Sequence, residues 1–384
     1  MRRHTHVWSN YRVVVLSFAL ILATGLTLAP SVSAATPSIK SPQPELLSAV
    51  SHSEVVYVLW TANCANDRSC YALERSDDGG QTFARVSAPP ITFPRNNQGG
   101  PLEALDFANA NDGLAMVEGA SASSLWVTFN GGVTWRQDVI GPDALVNSVA
   151  SSSTSFYAVT SSCTSGASRS CGNGRLESSP VTSTHWTSHL LPLGQRDDSG
   201  LPSIAAFGND VWLTTQEQAK PYHPLLATSY NGGQTFAVRS KPLLSSVAGC
   251  SLNATSSVTL WAQCDQGMMT GDIVYSHDGG ATWSYGHGGL GRFGFGTFDP
   301  ISTFASVFVN YFPGGQLQGV QYLATAASKD VPLGRAPAKG ISQLAFVDPE
   351  QGLALGHGYG VGDFATLYET SDGGKRWRTS LLAK

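Results

Sequence analysis

Apolar residues in this chain gather in short runs: Val55-Val-Tyr-Val-Leu-Trp60, Phe156-Tyr-Ala-Val159, Val211-Trp-Leu213 and Val258-Thr-Leu-Trp261. They lack strict alternation, and runs of this length fit strands covered on both faces. A fixed order recurs around each: an apolar strand, a turn, the continuous apolar strand, a variable loop, a third strand, a tight Gly-Gly turn and a fourth strand. The C-terminal unit shows the plan in Ile341–Phe346, the turn at Asp348–Gly352, Leu353–Gly356, a glycine-rich loop, Ala365–Thr370 and Trp377–Leu382. Ala104–Trp135 repeats it, with Asn111-Asp-Gly113 at the first turn. Turn signals this closely spaced between β-rich runs mean hairpins. After the N-terminal segment no stretch carries capped helical periodicity.

The Gly-Gly turn is one string that returns five times: Ser76-Asp-Asp-Gly-Gly-Gln-Thr-Phe83, Thr128-Phe-Asn-Gly-Gly-Val-Thr-Trp135, Ser229-Tyr-Asn-Gly-Gly-Gln-Thr-Phe236, Ser276-His-Asp-Gly-Gly-Ala-Thr-Trp283 and Thr370-Ser-Asp-Gly-Gly-Lys-Arg-Trp377. A repeat of this kind fixes the architecture. Its third position falls at Asp78, Asn130, Asn231, Asp278 and Asp372, with gaps of 52, 101, 47 and 94 residues. Two gaps are single periods and two are double, so a worn copy is expected inside each long gap, at Ser178–Trp186 and at Leu323–Asp330. The expected fold is therefore all-β, a seven-bladed β-propeller of four-stranded antiparallel blades. The units span about 44–90, 99–141, 143–193, 200–242, 243–289, 294–337 and 338–384, after a signal peptide at 1–34 and a linker at 35–43. No strand is borrowed to close the ring.

The acidic position invites a catalytic or calcium-binding reading, which the residues oppose. Asn stands there in two of the five copies and cannot act as a carboxylate base, but it can accept the same backbone hydrogen bonds in an Asx-turn. Gly80, Gly132, Gly233, Gly280 and Gly374 supply the positive φ of a tight hairpin. Trp135, Trp283 and Trp377 are expected to fold between sheets. The alternating oxygen ligands and closing Glu of a calcium loop are missing. The string reads as scaffold.

These strings resemble the Asp-box, or BNR, repeat of bacterial sialidases, xyloglucanase-type glycosidases, the sortilin luminal domain and photosystem II assembly-factor-like propellers. Blade count, leader and single ring look most like the last group, the exported WD/YVTN/BNR-like propellers. The resemblance implies an interaction and assembly role outside the cytoplasm, with the Asp-box at an outer turn away from the ligand face.

Composition supports a turn-rich globular chain: 41 Gly, 20 Pro, 42% hydrophobic and only 13% charged residues. Arg2, Arg3 and Arg12, the apolar run Val13–Ala29 and the small residues Val32-Ser-Ala34 read as a secretory leader, so a secreted or cell-envelope location is expected. The alternative is an uncleaved anchor, which would be the one membrane contact. A net charge of −4, more negative once the leader arginines go, argues against nucleic acid as partner. The six cysteines fall into neighbours, Cys64 with Cys70, Cys163 with Cys171 and Cys250 with Cys264, so local disulfides clipping strands within a blade are expected. No metal or cofactor motif is present. Gly289-Leu-Gly-Arg-Phe-Gly294 has dinucleotide-loop spacing without a following helix. His185 and His189 on a strand would lie too far apart to share a metal.

Chemistry, if any, is expected on the face opposite the repeated turns, in loops that do not repeat. Arg95, Arg196, Arg292 and Arg335 fall between blades. Sialidases hold a substrate carboxylate with three arginines from different blades, because the guanidinium fork fits it. No Tyr–Glu nucleophile pair accompanies them here. Carboxylates for a glycosidase would come from Asp197, Asp198, Asp299 and Asp363. Tyr285–Phe298, Tyr311-Phe-Pro-Gly-Gly315 and the loop containing Tyr359 and Asp363 combine glycine with aromatic and charged anchors. The expected function is a monomeric, non-catalytic scaffold holding a protein or glycan. The alternatives are a sialidase-like or other glycoside hydrolase and a propeller lectin.

Overall fold

The structure is a computed structural model that describes residues 43–50, 53–94, 101–117, 124–140, 144–164, 170–192, 203–216, 224–239, 249–267, 270–285, 296–302, 305–310, 320–325, 331–335, 340–357 and 366–380. The expected leader and linker lie outside them. Among the described residues no helix is long and apolar enough to cross a membrane.

Every described element is a strand, and each sheet is a local antiparallel meander in chain order, with one added edge strand in the first. The first sheet holds β1 (Gln43–Ala49), β2 (Val56–Asn63), β3 (Arg68–Ser76), β4 (Ala84–Val86) and β5 (Thr92–Pro94). The next holds β6 (Leu102–Phe107), β7 (Gly113–Val117), β8 (Ser124–Thr128) and β9 (Arg136–Asp138). Then come β10 (Ala144–Ser151), β11 (Ser155–Thr164), β12 (Ser170–Pro180) and β13 (Thr187–Leu190), followed by β14 (Ile204–Phe207), β15 (Asp210–Gln216), β16 (Pro224–Ser229) and β17 (Ala237–Val238). The last three sheets are β18 (Gly249–Ala254), β19 (Leu260–Gly267), β20 (Thr270–Ser276) and β21 (Ser284–Tyr285); β22 (Gly296–Ser302), β23 (Ala305–Asn310), β24 (Val320–Thr325) and β25 (Val331–Arg335); and β26 (Gly340–Phe346), β27 (Gly352–His357), β28 (Thr366–Thr370) and β29 (Arg378–Thr379).

The expectation of seven four-stranded blades is corrected. Six blades are four-stranded, and the sheet that opens the chain is five-stranded. The reason is a length mismatch. β3 runs nine residues, but β4 covers only Leu73–Arg75, so the outer edge at Arg68–Cys70 is open. β5 fills it, pairing Thr92, Phe93 and Pro94 with Cys70, Ser69 and Arg68. Such closure removes an exposed edge that would otherwise template pairing with another chain.

The second strands are the buried centre of each sheet, as continuous apolar runs require: Val56 to Trp60 are at most 2% exposed, and Phe156 to Val159 are fully buried. Hydrophobic clusters sit between sheets rather than within them. One joins Val56, Val58 and Trp60 of β2 to Leu353 and Leu355 of β27 and Leu367 of β28, so the first and last blades meet by face packing. Their sheets keep separate strands, and the Leu47 amide of β1 donates across this junction to Gln343 Oε1 of β26 at 2.6 Å.

Candidate functional site

All five repeated strings lie between the third and fourth strands of their blades and share one hydrogen-bond pattern. The first residue's hydroxyl (Ser76, Thr128, Ser229, Ser276, Thr370) accepts the amide of the second glycine at 2.8 to 3.0 Å. It donates to Oδ1 of the Asp or Asn two residues on, at 2.7 to 3.1 Å. That Oδ1 also accepts the amide four residues further on, at 2.8 to 3.0 Å. Asp and Asn differ only in the last bond. Asp78 and Asp278 accept from the Thr82 and Thr282 hydroxyls at 2.6 Å. Asn130 and Asn231 instead donate through Nδ2 to the Thr134 and Thr235 hydroxyls at 2.9 Å. A threonine hydroxyl can reverse its role, so either residue satisfies the turn. In the last copy the Arg376 guanidinium bonds Asp372 Oδ2 at 2.7 Å.

These bonds set the charge state. Burial would raise the Asp78 and Asp278 carboxyls, but bonds from Thr82 and Ser76, and from Thr282 and Ser276, outweigh it and hold both below the usual range. The Arg376 bond leads the same lowering at Asp372. Ionised carboxylates spent on their own turns are poor general acids or bases.

The turns also clamp neighbouring blades. Each first glycine donates to the turn between the first two strands of its own blade, with Gly79 bonding Glu54 O, Gly131 Asn111 O, Gly232 Asn209 O, Gly279 Val258 O and Gly373 Glu350 O, all at 2.7 to 2.8 Å. Each second glycine has φ between 82° and 94°. A Cβ on Gly80 would meet Leu353 at 2.9 Å, one on Gly132 Leu73 at 3.1 Å, one on Gly233 Leu176 at 2.1 Å and one on Gly280 Leu226 at 2.2 Å, every partner belonging to the preceding blade round the ring. The terminal aromatics reach the same way. Trp135 Nε1 bonds Ser87 O at 2.7 Å, and Trp186 of the worn turn between β12 and β13 bonds Asp138 Oδ2 at 2.8 Å.

Aromatic residues near the start of the second strands bond turns of the next blade, and no sequence signal marks their polar ends. The Tyr57 hydroxyl bonds Ala110 O at 2.8 Å and is pushed up to about 12 by burial. Trp212 Nε1 bonds Gly279 O, in the next blade's turn, at 3.2 Å. Trp261 is the equivalent residue one blade on; it is fully buried, and its Nε1 has no partner among the described residues.

Two expected disulfides are present, Cys64–Cys70 joining the ends of β2 and β3 and Cys250–Cys264 joining β18 to β19. Cys163 and Cys171 face each other across the β11–β12 ladder, and their side chains lie outside the described ones. Arg335 ends β25, paired with Val320, rather than standing in an inter-blade loop. Asp299 lies on β22 opposite Val307. Arg95, Arg196, Arg292, Asp197, Asp198, Tyr311, Tyr359 and Asp363 lie outside the described residues. No group of His, Cys, Asp or Glu able to hold a metal occurs among the described residues.

Among the described residues, β1, β6, β10, β14, β18 and β26 line an axial cavity of about 890 Å³. Their inner edges carry unpaired amides, which side chains of the neighbouring blade accept. Ser48 Oγ takes the Phe107 amide at 3.2 Å, and Ser203 Oγ takes the Leu252 amide at 2.8 Å. The Asp106 carboxylate takes the amide and hydroxyl of Ser151. Burial dominates at Asp106 and raises its carboxyl above the usual range despite these bonds. Ser53, Glu54, Asp348 and Pro349 also line the cavity, so it reaches the end of the ring where the repeated turns lie.

A family model described as BNR/Asp-box repeat matches residues 274–285. No curated protein matches the chain. Among solved structures, the β-propeller domain of the Trilobed protease from Pyrococcus furiosus is 9% identical over 89% of this chain and 98% of that one, with a TM-score of 0.60. The Pyrococcus horikoshii acylaminoacyl peptidase is 9% identical over 88% of this chain but only 52% of its own, with a TM-score of 0.58. YCF48 from Cyanidioschyzon merolae is 16% identical over 70% and 77%, with a TM-score of 0.40. Likeness at these identities bears on fold alone. By its sheets the chain is an all-β propeller, and its repeated turn is similar to the BNR/Asp-box repeat that matches at residues 274–285.

Proposed function

We propose that this chain is an exported, non-catalytic scaffold that binds a protein or glycan through its non-repeating loops. The observation that carries the reading is the saturation of the repeated turns. The Asp or Asn at the third position of every copy bonds within its own turn, and two of the five positions hold no acid. The residues that recur therefore build the ring, and what differs between blades is left for recognition. The two disulfides suit an oxidising compartment, which supports export.

A fluorogenic-glycoside panel run beside a glycan array on the full chain tests the reading. It expects no turnover, with partner capture weakened when 285–298 is replaced by a Gly-Ser segment. Turnover abolished by Arg196→Ala would defeat it in favour of a sialidase-like hydrolase. Glycan binding without turnover would identify the ligand as carbohydrate.

A further inference from the structure

The first and last blades meet without a peptide connection between them, and among the described residues each side of this junction carries a carboxyl. Successive side chains of a third strand point alternately to the two neighbouring blades. Glu74 of β3 stands opposite Val58, and Glu369 of β28 stands opposite Leu353. Val58 and Leu353 belong to one hydrophobic cluster, so the two acids enter the same junction from opposite sides. At the equivalent places between the fourth and fifth blades the chain has Val274, opposite Ala262, and Thr228, opposite Trp212. Every other junction is crossed by the peptide that links consecutive blades, so this is where the ring can part with its chain intact.

Neither acid is fully compensated. Glu74 is 2% exposed, and its Oε2 has no hydrogen-bond partner among the described residues. Glu177, at the same place on β12 opposite Ala158, is the contrast: its Oε1 accepts the hydroxyls of Thr160 at 3.2 Å and Ser188 at 2.6 Å. Glu369 is paired with Arg378 at 2.7 Å, but that guanidinium stands largely in water, where a pair contributes little. Burial raises the Glu74 carboxyl above the usual range despite the exposed Arg85 beside it. Burial, joined by the charge of Asp78, raises Glu369 despite Arg378. Asp78 itself stays ionised, because bonds within its own turn hold it below the usual range. The other charged groups packed here are acidic: Glu45 of β1, bonded by the Thr61 hydroxyl, and Asp348 and Glu350 in the β26–β27 turn, which Gly79 approaches at Gln351. Ionising Glu74 and Glu369 therefore adds two negative charges to an apolar junction that already holds Asp78. Protons on both acids favour the closed junction, an advantage present at low pH and lost as pH rises through their folded values.

We infer that the junction between the first and last blades is a pH-sensitive latch, tight while Glu74 and Glu369 carry protons and loosened when both ionise. The device is independent of what the loops bind.

Amide hydrogen exchange of the full chain tests this at the Leu47 amide, which donates to Gln343 Oε1 across the junction. The Leu252 amide, held by Ser203 Oγ between the fourth and fifth blades, is the internal reference. Protection of Leu47 relative to Leu252, corrected for intrinsic exchange, should fall about tenfold or more between pH 4 and pH 8, as a buried carboxylate short of a donor implies. Glu74→Gln combined with Glu369→Gln should abolish the fall, and Glu177→Gln, at a different junction, should leave it unchanged. Protection at Leu252 also shows that each variant is folded. A ratio that does not change with pH in the wild type overturns the inference, as does a fall that persists in the double variant or a loss of protection at both amides together.

Discussion

Gly280→Ala probes the inter-blade clamp most sharply. Gly280 has φ of 88°, and a Cβ there would stand 2.2 Å from Leu226 Cδ2 and 3.3 Å from Leu260 Cδ1. Leu226 is 1% exposed and Leu260 fully buried, so neither can swing away. Left-handed backbone costs an alanine about 1–2 kcal/mol, partly offset by a less flexible unfolded chain. Overpacking a closed interface adds about 1–3 kcal/mol. The expected loss is about 2–4 kcal/mol. Gly208→Ala is the control: its φ is 57°, and a Cβ would meet nothing within 4 Å, so it bears the backbone cost alone, about 1 kcal/mol. Urea unfolding of both variants, followed by tryptophan fluorescence, separates the two contributions. If Gly280→Ala loses no more than Gly208→Ala, the glycines serve backbone geometry only and the clamp is wrong.

Ser276→Ala strips the buried Gly280 amide of its acceptor and should lower stability by about 1–3 kcal/mol, whereas Ser276→Thr, the residue found at 128 and 370, should be near neutral in the same assay. The lowered Asp78 and Asp278 carboxyls stabilise above the unfolded value near ~3.9, and this is lost as pH falls through their folded values, so Asp78→Asn with Asp278→Asn should flatten the acid limb of a stability–pH profile. At Asp106 the shift is upward: the native state favours the proton, and that advantage is present at low pH and lost as pH rises through the folded value. Asp106→Asn should therefore raise the melting temperature at pH 7 and leave it unchanged near pH 3, as scanning calorimetry would show. Removing Cys250–Cys264, separated by 14 residues, should cost about 3 kcal/mol, and removing Cys64–Cys70, separated by 6, about 2, measured by the same denaturation.

What could be read in the chain was whatever repeats locally. Gly-Gly turns, continuous second strands and neighbouring cysteines all act within about 15 residues, so spacing exposes them. Asn130 and Asn231 even disclosed that the acidic position was structural. Long-range features stayed hidden. β5 joins β3 through Thr92-Phe-Pro94, a segment that reads as a proline-bearing connection and becomes a strand only because the edge at Arg68–Cys70 is left open. The axial belt was equally silent: Ser48, Ser203 and Gln343 accept amides 59, 49 and 296 residues away, and nothing in the sequence of a first strand marks a side chain for a neighbour's edge. Asp106 is hidden for the same reason, as one acid in an ordinary alternating strand. The polar ends of Tyr57 and Trp212 are unmarked because buried aromatic residues in a strand read first as core.

The central claim is that the repeated string is a saturated clamp between blades rather than a row of sites. Amide hydrogen exchange at Gly80, Gly132, Gly233, Gly280 and Gly374, each bonded to its turn hydroxyl, tests it most directly. All five amides should exchange as slowly as those of the second strands. Fast exchange at these glycines, with the strands still protected, would contradict the account.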